Sequence, residues 1–268
     1  MNTLFDTLWE GYTSITPSAK EIHQLFEERG EEITNDHIAI RTCNDPRVDI
    51  DRMAIPFKKM GYVESGEYHF PKKKLFAKHF QLPGNSTAPK VFISELRLEL
   101  MSTELKNALE LILDSVDQSE LDTDDLVLQG RLWSQPKYSL YNTLRAESEY
   151  AAWIYLYGFC ANHFTVNVNK LRTFSSLEKV NEMLLKDGFR MNESGGMIKG
   201  TSEQMLEQSS ILADMRDFDF VEGKKLVPTC YYEFALRYPH PNGDLFDGFI
   251  AESADKIFES TDLKLQQS

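Results

Sequence analysis

The stretch NDHIAIRT, residues 35–42, shows the alternation of apolar and polar side chains that is typical of a β-strand. Successive side chains on a strand point to opposite faces, so Ile38 and Ile40 share one face while His37 and Arg41 share the other. The isoleucines predict a strand packed on a hydrophobic core. The histidine and the arginine make the opposite face polar, which core packing alone does not require.

The order of elements that begins with this strand occurs twice along the chain. A second strand, in ANHFTVNVN (residues 161–169), carries His163 and is followed, like the first, by a helix and a glycine turn. The spacings from histidine to turn nearly match, with 61 − 37 = 24 residues to Gly61 and 188 − 163 = 25 residues to Gly188. Repetition of this kind indicates a repeated structural unit. We therefore predict an α+β fold built from two βαβββ modules.

The second module is longer than the first. From the turn glycine to a glutamate on the last strand there are 95 − 61 = 34 residues in the first module and 233 − 188 = 45 in the second, which predicts an insertion. We predict one domain over residues 1–268, made of N-terminal helices (1–30), the first βαβββ module (31–101), a helical insertion (102–160), the second βαβββ module (161–250) and a C-terminal tail (251–268) whose polar end we expect to fray.

Side chains of a metal site are present at corresponding places in the two modules. Two histidines and one carboxylate, with further coordination positions open, suit a non-haem Fe(II) centre. A single histidine on a strand is more often a packing or surface residue, but His37 and His163 form a matched pair. Glu233 lies within the strongly apolar YYEFALR, where a buried carboxylate is costly unless it is paired or metal-bound.

Two further residues are weaker candidates. Glu95 corresponds to Glu233 in the order of the repeat, but it alternates with Arg97 and Glu99 on what could be a solvated face with ion pairs. His240 lies in the turn sequence YPHPNGD after the Glu233 strand, so a position at the rim of the site is open to it.

Arg41 is the candidate for a substrate contact. Its Cα lies about 13 Å along the strand from that of His37, and a long side chain can lean back over a ligand held between them. A guanidinium offers two parallel hydrogen bonds to a carboxylate. A surface ion pair explains Arg41 equally well at this point.

Composition excludes several classes of function. The net charge of −13 argues against binding of nucleic acid. The sequence has no apolar run long enough to span a membrane, and MNTLFDTLWEGYTS, which lacks a basic stretch followed by an apolar core, predicts no secretion signal. Its cysteines, Cys43, Cys160 and Cys230, are far apart and odd in number, which predicts a reducing, cytoplasmic location.

Three motifs together resemble a known family. DHIAIRT, NHFTVNVN and YYEFALRYP, in this order and at these separations, are similar to the 2-oxoadipate dioxygenase/decarboxylase family, also called hydroxyglutarate synthases. These proteins are relatives of the vicinal oxygen chelate superfamily. The resemblance covers about residues 20–250, and the combination of motifs is more specific than any one of them.

The resemblance implies a fold and a chemistry. The two modules would form a vicinal-oxygen-chelate-like curved sheet around Fe(II), held by His37, His163 and Glu233, with Arg41 as the catalytic residue that grips a substrate carboxylate. The reaction would convert a 2-oxo dicarboxylic acid, 2-oxoadipate, and dioxygen to 2-hydroxyglutarate and carbon dioxide. Two alternatives stay open: an isomerase, lyase or hydrolase of the same fold that uses Zn²⁺, Ni²⁺ or Mn²⁺, and a non-catalytic small-molecule-binding module. Oligomeric state does not follow from the sequence.

Overall fold

Both halves of the repeat lie in one mixed eight-stranded sheet. The computed structural model describes residues 3–266. The strands of the sheet are β1 (Asn35–Cys43), β2 (Val63–Phe70), β3 (Leu75–Gln81), β4 (Lys90–Leu96), β5 (Ala161–Asn167), β6 (Lys199–Thr201), β7 (Leu206–Ser210) and β10 (Tyr231–Arg237). A separate hairpin consists of β8 (Met215–Phe220) and β9 (Gly223–Pro228).

The sheet is symmetric about the pair β1 and β5. Its strand order is β2-β3-β4-β1-β5-β10-β7-β6, so each module contributes four strands and the first strands of the two modules meet at the centre. β1 and β5 are antiparallel, whereas each is parallel to the last strand of its own module. This arrangement confirms the predicted pair of βαβββ modules. The insertion predicted in the second module is the β8–β9 hairpin.

Helices precede, join and follow the modules. They are α1 (Leu4–Ile15), α2 (Pro17–Glu28), α3 (Ile50–Met53), α4 (Ile55–Lys59), α5 (Thr103–Asp114), α6 (Gln118–Leu121), α7 (Tyr138–Glu147), α8 (Glu149–Tyr157), α9 (Leu177–Lys186), α10 (Ala251–Ile257) and α11 (Leu263–Gln266). The helix that follows β1 is split into α3 and α4, with Pro56 in the first turn of α4, where its missing N–H is tolerated. None of these helices is long and apolar enough to cross a membrane.

The two faces of the central strands have different roles. Ile38 and Ile40 are fully buried, as the alternation in β1 predicts. On the same face, rings from β5 and β10 pack on the N-terminal helices, as in the edge-on contact of Trp9 with Phe164 and the contact of Phe26 with Phe234. Burial of these large side chains fixes the register of the sheet. The opposite face is therefore free to carry His37 and Arg41.

The C-terminal segment differs from the tail that the sequence predicts. Residues 251–257 form α10, and the following 3₁₀ turn, Phe258–Thr261, is buried. α10 lies against β2, β6 and β7 on the polar face of the sheet. Sequence periodicity gives little signal for a helix of two turns, because most of its stabilisation comes from packing rather than from propensity.

Candidate metal centre

His37, His163 and Glu233 converge on the polar face of the sheet. They lie on the adjacent strands β1, β5 and β10, and one potential ligand atom from each lies within 4.8 Å of the others. His163 Nε2 is 3.1 Å from Glu233 Oε2, and His37 Nε2 is 3.6 Å from Glu233 Oε1. We call these three residues the triad. Residues 126 apart in sequence meet here because β1 and β5 are paired at the centre of the sheet.

A β-bulge precedes each histidine. The pairing of β1 with β5 skips Asp36 on one strand and Asn162 on the other, which aims both side chains beside the ring that follows. Asp36 Oδ1 is 2.8 Å from His37 Nδ1, and Asn162 Oδ1 is 3.1 Å from His163 Nδ1. An acceptor at Nδ1 keeps the proton on that nitrogen and leaves the Nε2 lone pair available to a metal. At His37 this lone pair faces the Thr165 hydroxyl, 3.0 Å away.

Arg237 completes the support of His37. Its Nε and Nη2 donate to the two oxygens of Asp36, at 2.7 and 2.8 Å, and both residues are nearly fully buried. Burial alone would raise the pKa of Asp36, but the charge and hydrogen bonds of Arg237, together with the hydrogen bond from His37, hold that pKa well below its usual range. Asp36 is therefore an anion that binds Arg237 and His37 at once.

The electrostatic state of the other triad members also suits a metal. Burial alone would raise the pKa of Glu233, but the two histidines and a hydrogen bond from Gln208 Nε2 to Oε1, at 2.6 Å, lower it. Burial lowers the pKa of His163 despite the neighbouring Glu233 carboxylate. An anionic carboxylate and a neutral imidazole are the forms in which these groups bind metal ions.

An apolar cover closes the site. Four residues of the C-terminal segment form it: Phe249, Ala254, Ile257 and Phe258. They line a cavity of about 10 Å³ with the triad, Phe92 and Gln208, which is room for roughly one water molecule. No sequence pattern indicates this cover, because its contacts with the triad are set by tertiary packing.

Arg41 lies on the same face without a counter-ion. It is 2% exposed, and its guanidinium carbon is 4.9 Å from the ring centre of Tyr150 and 5.2 Å from that of Trp153. Its side-chain hydrogen bonds within residues 3–266 go to Thr261 Oγ1 at 3.4 Å, and Nε has no partner there. A cavity of about 170 Å³ adjoins it and is lined also by Lys72, Lys73 and Lys74. The surface ion pair considered for Arg41 is therefore absent from the part of the chain that the structure describes.

Comparison with known proteins identifies the family. The family model for 2-oxoadipate dioxygenase/decarboxylase matches residues 1–243. The chain belongs to the 2-oxoadipate dioxygenase/decarboxylase family. Membership confirms the resemblance seen in the three motifs.

Individual members of the family and solved structures are similar over almost the whole chain. A rice (Oryza sativa subsp. japonica) protein named 2-oxoadipate dioxygenase/decarboxylase, chloroplastic/amyloplastic, is 34% identical over 97% of this chain and 78% of its own. The crystal structure of hydroxyglutarate synthase from Oryza sativa in complex with 2-oxoadipate has a TM-score of 0.93 at 32% identity, covering 99% of this chain and 93% of that one. A provisionally named hydrolase from Shewanella frigidimarina is 47% identical, with a TM-score of 0.87 over 92% of this chain and 96% of that one.

Glu95, a weaker candidate, does not reach the triad. It pairs with Thr42, so it lies on the face of the sheet opposite to His37, and its Oε2 accepts a hydrogen bond from the Ile50 N–H. The strand register shows why. Tyr231 pairs with His163, so Glu233 lies two residues beyond that pair; Lys90 pairs with His37, and two residues beyond it lies Phe92. Phe92, rather than Glu95, is thus the structural counterpart of Glu233, and it contributes an apolar wall to the site.

His240, the other weaker candidate, also lies apart from the triad. Its backbone N–H donates to Asp244 O in a turn, and its ring contacts Phe246. Sequence reasoning also missed Asp36, Asn162, Gln208 and Arg237. A signal existed for the first two, because each immediately precedes one of the matched histidines, whereas Gln208 and Arg237 are recognised only once the strand order is known.

Proposed function

We propose that this protein is an Fe(II)-dependent dioxygenase and decarboxylase that converts 2-oxoadipate and dioxygen to 2-hydroxyglutarate and carbon dioxide. The observation that carries the proposal is a buried His-His-Glu triad with an unpaired buried arginine on the same face, in a chain of this family. The proposed ligands are His37, His163 and Glu233, and Arg41 is the proposed partner of a substrate carboxylate.

The donor set fits iron. Two imidazole nitrogens and one carboxylate leave further positions open, which is the donor pattern of non-haem Fe(II) oxygenases. When bound, Fe(II) would supply redox chemistry with dioxygen and binding positions for the carboxylate and keto oxygens of a 2-oxo acid. Asp36 and Asn162 hold the two rings in the required tautomer, and Gln208 holds the Glu233 carboxylate.

The surrounding residues exclude water and bind charge. Phe258 belongs both to the cover of the triad and to the wall of the cavity beside Arg41, so it separates the two spaces. Because about 10 Å³ remains at the triad, a six-carbon acid reaches it only when the cover moves. Movement of Phe258 would join the spaces, so that one end of the acid lies at the triad and the other at Arg41.

The reaction balances with these components. 2-Oxoadipate has six carbons and two carboxylates, and it loses one carboxylate as carbon dioxide while the two atoms of dioxygen are incorporated into the products. The second carboxylate is retained, and it is the group that a fixed cation such as Arg41 binds.

Oxygen uptake is the direct test of the proposal. Iron-loaded protein is expected to consume dioxygen with 2-oxoadipate and to release 2-hydroxyglutarate in equal amount, measured with an oxygen electrode and by chromatography. Failure to turn over any 2-oxo acid with iron present would contradict the proposal. Turnover without dioxygen, supported by Zn²⁺, Ni²⁺ or Mn²⁺, would instead favour an isomerase, lyase or hydrolase.

Replacing Arg41 with methionine should remove the preference for a dicarboxylic acid. The efficiency kcat/KM for 2-oxoadipate is expected to fall about 30-fold or more, since losing one partner of a buried charge pair costs roughly 2–5 kcal/mol. Efficiency for 2-oxohexanoate, which lacks the second carboxylate, should change little. Arg131→Met is the matched control, because Arg131 also lies over an aromatic ring, that of Phe218, and lines neither cavity. An equal loss on both acids would contradict the assigned role of Arg41.

The cellular location stays a prediction. All three cysteines are free thiols in the structure, as a reducing compartment requires, and a cytoplasmic location is proposed on that basis. The name of the rice relative places that protein in plastids.

A further inference from the structure

Tyr231 is a buried residue of the site to which neither the motifs nor the triad assigns a role. It lies on β10 two residues before Glu233, and it pairs with His163 across the parallel ladder, so its side chain is on the triad face of the sheet. Its ring stacks on that of His163, with ring centres 4.6 Å apart and an interplanar angle of 28°, and it has no exposed surface. This stack fixes the direction of the hydroxyl group.

The hydroxyl of Tyr231 has no acceptor for its proton within residues 3–266, because its neighbour there, the Arg41 guanidinium, carries only donors. Two other buried tyrosines have partners: Tyr150 donates to Ser94 O, and Tyr157 donates to Pro228 O. A buried hydroxyl without a partner is costly, with a penalty of about 1–3 kcal/mol. Because the Tyr231 hydroxyl lies on the triad face beside Arg41, its missing acceptor points to a group that comes from outside the chain.

Arg41, beside the Tyr231 hydroxyl, also has a donor without an acceptor. Its Nε also lacks a partner within the described chain, and its charge has no carboxylate within 4.0 Å there. Two donors without acceptors, one of them cationic, form a site for an anion with two acceptor oxygens. The cavity beside Arg41 is lined by three lysines, Lys72, Lys73 and Lys74, and by three acidic residues, Glu147, Glu149 and Asp262, so Arg41 is the basic side chain in excess.

We propose that the Tyr231 hydroxyl and the Arg41 guanidinium together hold the second carboxylate of a 2-oxo dicarboxylic acid, so that Tyr231 is a specificity-determining residue. The inference rests on the proposed function, because it takes the 2-oxo end of the acid to lie at the triad. Arg41 supplies the charge, whereas Tyr231 supplies a donor whose position is fixed by the stack on His163. A monocarboxylic acid of the same length leaves both donors unpaired and is disfavoured.

The test is the variant Tyr231→Phe, which removes the hydroxyl and keeps the stacked ring. Dissociation constants for 2-oxoadipate and 2-oxohexanoate are measured by calorimetry on the iron-loaded protein without oxygen, and kcat/KM for each acid is measured in air. We expect binding of 2-oxoadipate to weaken about tenfold or more, as for a hydrogen bond to a charged group, while binding of 2-oxohexanoate is unchanged. Iron content and melting temperature establish that the site and the fold are intact.

The chain offers a matched control on the same strand. Tyr232 is also fully buried, and its hydroxyl has no partner among the described residues, but it faces the N-terminal helices, where its ring contacts Trp9. Tyr232→Phe should leave both dissociation constants at the wild-type values. If Tyr232→Phe weakened binding of 2-oxoadipate as much as Tyr231→Phe does, the loss would reflect a general disturbance of β10 rather than a missing hydrogen bond to the carboxylate. The inference would then be overturned.

The outcomes separate this inference from the proposed function. If wild-type protein prefers 2-oxoadipate and Tyr231→Phe keeps that preference, the role of Tyr231 is wrong and the proposed function stands. An equal loss for both acids would also overturn the role, because the hydroxyl would then act at the shared 2-oxo end. If the wild-type protein binds neither acid, the proposed function and the inference fail together.

Discussion

Replacing His163 with alanine is expected to abolish turnover of 2-oxoadipate and to release the metal. His163 Nε2 is 3.1 Å from Glu233 Oε2, and its Nδ1 is held by Asn162, so its free nitrogen is directed at the proposed ion. Loss of residues that only orient metal ligands costs roughly 10–100-fold in affinity or activity. Loss of a ligand itself should exceed that range, so we expect a decrease of more than ~100-fold in kcat/KM and less than stoichiometric iron by metal analysis.

Two controls make this result specific to the triad. His240→Ala removes a histidine from a surface turn and should leave iron content and turnover at the wild-type level. The melting temperatures of metal-free His163→Ala and metal-free wild type are compared as well, because the lost ring is buried in a stack with Tyr231 and its removal costs stability even without metal. Full iron occupancy and full turnover in His163→Ala would remove His163 from the site.

The repeat made most of this site predictable. Matching His37 with His163 needed only element order and spacing, and the sheet symmetry then requires the two strands to meet. The burial of Glu233 followed from its apolar strand. The match of Glu95 with Glu233 was wrong. Element order alone aligned the last strands of the two modules, and it does not give their register. On a strand, an odd shift moves a side chain to the opposite face, and Glu95 lies three residues beyond Phe92, the position equivalent to Glu233.

Features that depend on tertiary packing were not predictable. The bulges at Asp36 and Asn162 appear only when β1 and β5 are paired, since an unpaired strand has no register to interrupt. The cover of the triad comes from a segment whose short helix is stabilised by the sheet on which it lies. The environment of Arg41 was not predictable either. Its sequence context fits a surface ion pair, and only the structure shows it buried among aromatic rings.

The charge distribution is consistent with an anionic substrate despite the acidic chain. A net charge of −13 repels a dianion at long range. The cavity beside Arg41 is lined by three lysines and by three acidic residues, Glu147, Glu149 and Asp262, and Lys74 Nζ lies 3.5 Å from Glu147 Oε1. With Arg41, basic side chains outnumber acidic ones by four to three, and burial raises the pKa of Glu149 to about 7, so the cavity is less acidic than the chain as a whole.

Replacing Asp36 with asparagine is expected to lower both stability and metal affinity. The Asp36 carboxylate binds the buried Arg237 through two hydrogen bonds and accepts from His37 Nδ1 as well. Without its charge, the Arg237 guanidinium is left buried without a counter-ion, and breaking such a pair costs roughly 3–5 kcal/mol of unfolding free energy. An amide that turns its N–H toward His37 also moves the proton of the ring to Nε2, where the metal would bind, so iron affinity should fall about 10–100-fold.

Denaturant unfolding of the metal-free proteins and iron titration of the folded proteins measure these effects separately. The matched control is Asp45→Asn, because Asp45 makes a similar two-bonded pair with Arg47 near the surface, where such pairs contribute about 0–1 kcal/mol. The pKa of Asp36 is lower in the folded than in the unfolded protein, so its contribution is present above about pH 4 and is lost as the pH falls below that. The difference in unfolding free energy between wild type and Asp36→Asn should therefore become smaller in acid. No difference at pH 7, or an equal difference for Asp45→Asn, would contradict this role for Asp36.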